Sequence, residues 1–181
     1  MSSVYPPSED SFLLADTVTG CSFRLLLDVG TGSGLVCLEV SRAGRRAICT
    51  DILFQAAKET RRNALNCGLY SFVDVVVGDL TKHIRLERVD LIAFNPPYLQ
   101  PDQYSTPLDI ATVRFQNGDI IKRFIELMTK APKSVKILLV ASSLTPLEDV
   151  LKIAKDAGFS VKIVKRRALF YERLYVVELS H

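Results

Sequence analysis

No stretch of this 181-residue sequence is apolar for long enough to cross a membrane; its longest apolar runs, such as residues 137–141, fall far short of the ~20 residues a spanning helix needs. No charged segment followed by an apolar one opens the chain, so no secretory signal is expected. Cys-x-x-Cys is missing. The four cysteines, Cys21, Cys37, Cys49 and Cys67, are widely spaced, which argues against a zinc or redox motif and predicts buried free thiols and no metal site in the chain. There is no Gly-Lys-Ser or Gly-Lys-Thr to close a phosphate loop, no internal repeat, no low-complexity tract and no linker. Neither sign of charge dominates: 23 basic against 20 acidic residues leave +3, and the basic pairs Arg45-Arg46, Arg61-Arg62 and Lys165-Arg166-Arg167 are scattered through different elements. Such a balance permits an anionic partner without demanding one. What is left is ordinary globular composition, 48% hydrophobic and 24% charged, expected as one domain over residues 1–181, in the cytoplasm or nucleus.

Hydrophobic periodicity then sets helices and strands in alternation. After Tyr5-Pro6-Pro7 a short helix is expected, capped by Ser8, with Glu9 and Asp10 near the positive end of its dipole and Phe12, Leu13, Leu14 and Val18 on its apolar side. Strands are predicted over residues 24–29, 47–50 and 72–77, with helices over 35–43 and 55–66 between them; a fourth strand is predicted over 89–94. Residues 99–118 show no period, and a loop of that length is usually functional. A helix with Ile120, Ile121, Phe124, Ile125 and Met128 on one face follows, then a strand over 135–141, a helix carrying Leu147, Val150, Leu151 and Ala154, and a closing hairpin of 159–165 and 174–179. The alternation predicts an α/β fold: a mostly parallel sheet covered on both faces, with the hairpin adding one antiparallel strand. Ligands of such sheets bind beyond the carboxyl ends of the strands.

The candidate functional residues all stand at those ends. Strand four runs into Asn95-Pro96-Pro97-Tyr98, where two prolines end the ladder and hold the backbone extended. An amide oxygen on Asn95 and a proline carbonyl can each accept one N–H, and the Tyr98 ring can stack on a flat group. This grip suits a planar NH2. After strand one comes Gly30-x-Gly32-x-Gly34, but Leu35 stands where a dinucleotide loop has its third glycine spacing. Asp28 in that strand would repel phosphate and attract an ammonium or sulfonium. Asp51 ends strand two about 20 residues beyond Gly30, where an acid takes two ribose hydroxyls. Asp79 follows strand three and could accept from an adenine amino group, with Leu80 on the ring face. Three acids and a glycine loop describe a nucleoside carrying positive charge, so S-adenosylmethionine fits where NAD and ATP do not.

The Asp-Val-Gly-Thr-Gly-Ser-Gly and Asn-Pro-Pro-Tyr motifs resemble class I methyltransferases that modify planar amino groups, and the opening Val4-Tyr5-Pro6-Pro7-Ser8-Glu9-Asp10-Ser11-Phe12 is similar to the HemK-like group. Specifically, the chain resembles the eukaryotic and archaeal catalytic subunit that methylates the glutamine of a Gly-Gly-Gln motif in class I peptide release factors. The resemblance implies a seven-stranded Rossmann-like fold with strand order 3-2-1-4-5-7-6 and S-adenosylmethionine as methyl donor. It implies cofactor contacts at Ser11, Asp28, Gly30, Asp51, Asp79, Leu80 and Asn95, and substrate-amide contacts at Asn95, Pro96 and Tyr98. Bacterial relatives grip the release factor with an N-terminal helical domain, whereas the eukaryotic group uses a small zinc-binding activator subunit, so a heterodimer is implied. In that strand order residues 72–77 lie at an open edge. They carry no lysine or proline and only Asp74 as a charge, with Val73, Val75 and Val77 on one face and Phe72 and Val76 on the other. Strand addition by the activator is expected there. Val113-Arg114-Phe115 departs from the small residues usual in the family's long loop. N6-adenine methylation, lysine methylation and an inactive adaptor remain alternatives; the first lacks a segment for target recognition and a concentrated basic stripe, which speaks against a nucleic-acid substrate.

Overall fold

Short runs of branched and aromatic residues form the strands, and alternation along each run supplies both faces of the sheet. The computed structural model describes residues 6–97, 117–144 and 147–181. Among these, β1 (Leu25–Val29), β2 (Arg46–Asp51), β3 (Val73–Val77), β4 (Leu91–Phe94), β5 (Lys136–Ser142), β6 (Ser160–Ala168) and β7 (Arg173–Ser180) form one sheet. Its order is β3-β2-β1-β4-β5-β7-β6, as the resemblance implies. The pairs β1–β2, β1–β4, β2–β3 and β4–β5 are parallel, and only β7 runs against its neighbours β5 and β6.

Among the described residues five helices cover the sheet: α1 (Glu9–Thr19), α2 (Leu35–Arg42), α3 (Phe54–Asn66), α4 (Asn117–Met128) and α5 (Leu147–Asp156). Leu26, Ala93 and Leu138 point to one side, where Leu13, Leu14 and Val18 of α1 and Val36 and Val40 of α2 close over them. Their sequence neighbours Leu27, Ile92, Phe94 and Leu139 point to the other, against Ile121, Phe124, Ile125 and Met128 of α4 and Val150 and Ala154 of α5. A period of two in the strands and of three to four in the helices produces this sandwich.

Several expectations need correction. The fourth strand begins at Leu91, not at residue 89, because a 3-10 turn (Leu86–Arg88) ends with the Val89 N–H on the Leu86 carbonyl. Asp90 instead spends its carboxylate on the Arg24 and Leu25 N–H groups, each at 2.9 Å, and so ties the entries of β1 and β4 together. Ser8 occupies the N-cap position of α1 but makes no side-chain cap; its carbonyl accepts the Phe12 N–H. Helix α4 starts at Asn117, inside the stretch read as loop, and the rest of that loop lies outside the described residues. Cys37 and Cys49 form a disulfide, not free thiols, and Cys67 is exposed. The physical reason is packing: α2 lies on β2 and brings the two Cα atoms within 6.6 Å, a proximity that their spacing in sequence does not announce.

Phe94, the last residue of β4, packs on Phe124 of α4 with ring centroids 4.6 Å apart, and both are buried. This contact anchors the point where the chain leaves the sheet. Phe124→Ala should cost about 3–5 kcal/mol of stability, the usual penalty for a buried ring, measured by chemical denaturation.

Candidate active site

Parallel register brings the ends of four strands to one level. Val29 of β1 pairs with Thr50 of β2 and Phe94 of β4, and Asp51 pairs with Val77 of β3. Gly30, Asp51, Gly78-Asp79 and Asn95 therefore emerge side by side. With strands ~4.8 Å apart, four ends span about 15 Å, enough for an extended nucleoside with a side chain. The chain order reverses about β1, between β2 and β4, so this is the topological switch point.

The glycine loop is held from behind by side chains. Gly30, Gly32 and Gly34 have φ of +66°, +57° and +87°, a region that L side chains rarely adopt. A Cβ on Gly34 would lie 2.8 Å from Thr60 Cγ2, so the loop is packed directly on α3. Thr60 donates to the Gly32 carbonyl at 2.9 Å, and Asn63 donates to the Ser33 carbonyl at 2.9 Å. On the other side, the Thr31 N–H reaches the Thr50 carbonyl and the Gly32 N–H reaches Asp51 Oδ2, both at 3.0 Å. The loop is therefore preformed.

The acids occupy three different environments. Asp28 is 3% exposed, and its Oδ2 accepts from the Thr31 hydroxyl at 2.7 Å, with the Cys37 sulfur 3.6 Å away. Burial raises its pKa to about 7. Asp51 is buried as well, which pushes its carboxyl up, while bonds from the Leu53 and Gly32 N–H groups pull the other way. Each carboxylate oxygen has two acceptor positions, so Asp51 can hold the loop and still receive ribose hydroxyls. Asp79 differs from expectation. Partial burial raises its pKa, but the Lys82 hydrogen bond and the Arg123 charge prevail and hold it low, with both cations 2.6 Å from Oδ2. An adenine amino group would share this carboxylate with two cations. Leu80 has φ +53°, the one non-glycine positive φ among the described residues, with its carbonyl held by the Thr50 hydroxyl at 3.2 Å. Its side chain is buried in the same core as Val29 and Phe94.

Asn95 leaves β4 with its Nδ2 3.0 Å from Asp10 Oδ2 and 3.5 Å from the Ser11 hydroxyl. Its Oδ1 is buried and has no hydrogen-bond partner among the described residues. A buried carbonyl oxygen left bare is costly unless a ligand completes it. Pro96 is buried and Pro97 half-buried beside it. Tyr98, like Val4 and Tyr5, lies outside the described residues. The structure thus joins Ser11, Gly30, Gly32, Asp28, Asp51, Asp79, Leu80, Asn95, Pro96 and Pro97 at one end of the sheet. Among these residues no cluster of His, Cys, Asp or Glu could hold a metal ion.

Sequence reading passed over Thr60, Asn63, Thr31 and Arg123, which hold the loop and the acids. Thr60 and Asn63 did carry a signal: they stand three apart, on a helix whose neighbouring buried positions are Ala56, Ala57 and Ala64. Asp10 stands in the sequence as a dipole partner and within the opening motif, with no role at the site announced there. The preformed loop, the buried acids and the bare oxygen are a donor and acceptor set that fits a compact cationic nucleoside.

The Asp28 shift has a stability consequence with a definite sign. Its folded pKa, about 7, exceeds the ordinary 3.8, so between those values the folded chain holds more protons and stability falls as pH rises. The cost of the buried charge is absent below pH 3.8 and complete above about 7. Asp28→Asn should therefore raise Tm of the ligand-free chain by about 3 °C or more at pH 8 and change it little near pH 4, as followed by thermal melts across that range.

The family described as Methyltransferase small domain matches residues 9–153. Methyltransferase HEMK2 of Homo sapiens is 34% identical over 99% of this chain and 90% of that protein. A protein of Methanocaldococcus jannaschii, provisionally named a protein N5-glutamine methyltransferase, is 32% identical over 96% of this chain and 90% of its own length. Among solved structures, the E. cuniculi Mtq2–Trm112 complex, described as responsible for methylation of the eRF1 translation termination factor, superposes with a TM-score of 0.75 at 24% identity, covering 98% of each chain, which speaks to the fold. Similarity of this depth, running nearly the length of the chain, makes the chain a member of the small-domain methyltransferase family, in its HemK-like branch.

Proposed function

We propose that this chain, as a single catalytic domain, transfers a methyl group from S-adenosylmethionine to the side-chain amide nitrogen (N5) of the glutamine in a Gly-Gly-Gln motif of a class I peptide release factor. The observation that carries the chemistry is the buried Oδ1 of Asn95 at the switch point, without a hydrogen-bond partner among the described residues. Relatives at 32–34% identity, with N5-glutamine methylation in the name of one, support the choice of amide.

S-adenosylmethionine supplies an electrophilic methyl group. Ser11, Asp28, Gly30, Gly32, Asp51, Asp79, Leu80 and Asn95 would hold it. The chain's own task is positional, since a carboxamide nitrogen is a weak nucleophile and Asn95 and Pro96 present acceptors, not a strong base. Asn95 Oδ1 accepts one N–H of the glutamine amide and the Pro96 carbonyl accepts the other, fixing the nitrogen and its lone pair. The family resemblance assigns stacking on the amide plane to Tyr98, which lies outside the described residues. Positive charge growing on the nitrogen strengthens both hydrogen bonds, so the acceptors favour the transition state over the ground state. The proton departs to water once the nitrogen is methylated.

The test is methyl transfer to a Gly-Gly-Gln protein by the chain co-purified from cells with its partner, against the same protein with that glutamine replaced by alanine. Asn95→Ala should lower turnover about 100-fold or more, the scale of losing a transition-state partner, while cofactor affinity by calorimetry changes far less. Near-normal turnover would remove Asn95 from the role.

A small zinc-binding activator subunit is part of the proposal, docked on β3. This strand is at the sheet edge. Five of the ten large apolar side chains exposed among the described residues (Ile52, Phe54, Leu65, Tyr70 and Val77) lie in or beside β2, α3 and β3. The hydrogen bonds set the strand's orientation: the Phe72 carbonyl accepts from Ala47, and the Gly78 N–H donates to Asp51. By alternation Asp74 and Val76 also face β2, leaving the N–H and C=O groups of Val73, Val75 and Val77 outward. Strand addition fits that row. Val75→Pro removes an outward donor without touching the β2–β3 ladder. It should leave the fold intact and abolish the complex in a pull-down, whereas full affinity would move the interface elsewhere.

A further inference from the structure

The strand-four grip works only one way round. An asparagine amide has an acceptor end and a donor end of nearly the same shape, and rotating it by half a turn would present NH2 to the incoming amide. Two donors would then face each other. Something on the protein must choose the orientation, and Asn95 has no means of choosing by itself.

We infer that Asp10 is the positioning residue for this reaction: its carboxylate, accepting from Asn95 Nδ2, locks the amide with Oδ1 toward the substrate nitrogen. The inference rests on the proposed function for its substrate but on geometry alone for the contact. Asp10 is 3% exposed, and its Oδ2 is 3.0 Å from Asn95 Nδ2. Its other oxygen is occupied: Oδ1 accepts the Ser11 N–H at 2.6 Å and the Ser11 hydroxyl at 3.1 Å. An ionised carboxylate only accepts, so neither oxygen tolerates the Asn95 carbonyl opposite it. The choice is thus made by charge and not by shape.

The lock is anchored from outside the sheet. Asp10 belongs to α1, whose apolar side is buried in the first core. At its outer face, α1 is tied to β6 by ion pairs of Glu9 with Arg167 and Asp16 with Lys165. The negative charge behind the amide also polarises it, making Oδ1 a stronger acceptor as positive charge develops on the substrate nitrogen. Asp10 touches neither substrate nor cofactor in this scheme. It acts through Asn95.

Asp10→Asn tests this sharply, because shape and packing are kept. The Ser11 N–H demands an acceptor, so the introduced amide oxygen takes the Oδ1 position and its NH2 lands opposite Asn95. Asn95 must then turn its own oxygen inward and present NH2 to the substrate. The expected result with the co-purified complex and a Gly-Gly-Gln protein is a fall in kcat of about 100-fold or more, with Tm and cofactor Kd nearly unchanged. In an Asn95→Ala background the same substitution should change kcat less than about twofold, because residues that act as one unit are not additive. Retained kcat in Asp10→Asn, or losses that simply multiply in the double variant, would overturn the inference. A second readout needs neither turnover nor a variant. In the NMR spectrum of the unsubstituted complex, a hydrogen-bond coupling should link Asn95 Nδ2 to the Asp10 carboxyl carbon, and its absence from a well-resolved spectrum counts against the lock. If the unsubstituted complex leaves glutamine unmethylated while that coupling is present, the substrate assignment fails and the lock stands.

Discussion

The parallel pairing of β1 with β2 on one side and β4 on the other is the constraint on which the rest depends. Strands in this register end at one level, and whatever follows each strand is delivered to the same edge. A glycine loop, an acid and an amide grip, far apart in sequence, become neighbours because Val29 pairs with both Thr50 and Phe94. A slip of one residue would send the side chains of a strand to the opposite face, and two buried cores forbid it. Core and site are therefore one problem: Leu27, Ile92 and Phe94 fix the register, and the register assembles the pocket.

The pocket itself runs against the economy of folding. Asp10, Asp28 and Asp51 are all buried, and burial of a carboxylate is expensive unless hydrogen bonds replace water. The replacements are local and specific: Ser11 serves Asp10, Thr31 serves Asp28, and the Gly32 and Leu53 N–H groups serve Asp51. For Asp28 the replacement is incomplete, which is why its pKa climbs to about 7. A chain of marginal stability carries such a load where a cationic ligand completes the site. Helix α3 shares in the same work, since Thr60 and Asn63 hold carbonyls of a loop whose positive φ values leave few of its own partners.

A second incomplete surface lies at β3. The sheet has two edges, β3 and β6. Along β6, Lys162, Lys165, Arg166 and Arg167 add charge, and a register shift between Ile163 and Lys165 breaks the regular row of pairing groups. These are the usual defences of an edge. Strand β3 has neither a bulge nor a basic residue, and apolar side chains are exposed around it. The two edges of one sheet thus differ in how well they are defended, and the proposed partner site is placed on the undefended one.

Much of this was legible in the residues themselves. Alternation and helical periodicity placed nearly every element to within two residues. Gly30-x-Gly32-x-Gly34, Asp51 and Asn95-Pro96-Pro97 marked strand ends that the structure brings side by side, because a tight turn, an acid at a strand end and a broken ladder are local chemistry written in adjacent letters. Only the tertiary structure decided what depends on contact across the chain. It paired Cys37 with Cys49, committed Asp79 to Lys82 and Arg123, and carried Asp10 across 85 positions to Asn95. Sequence periodicity reports which face of an element is buried, not which side chain on another element it meets. Those meetings are set by how α1, α2 and α4 settle on the sheet, and so the orientation of the Asn95 amide is a property of the packed molecule.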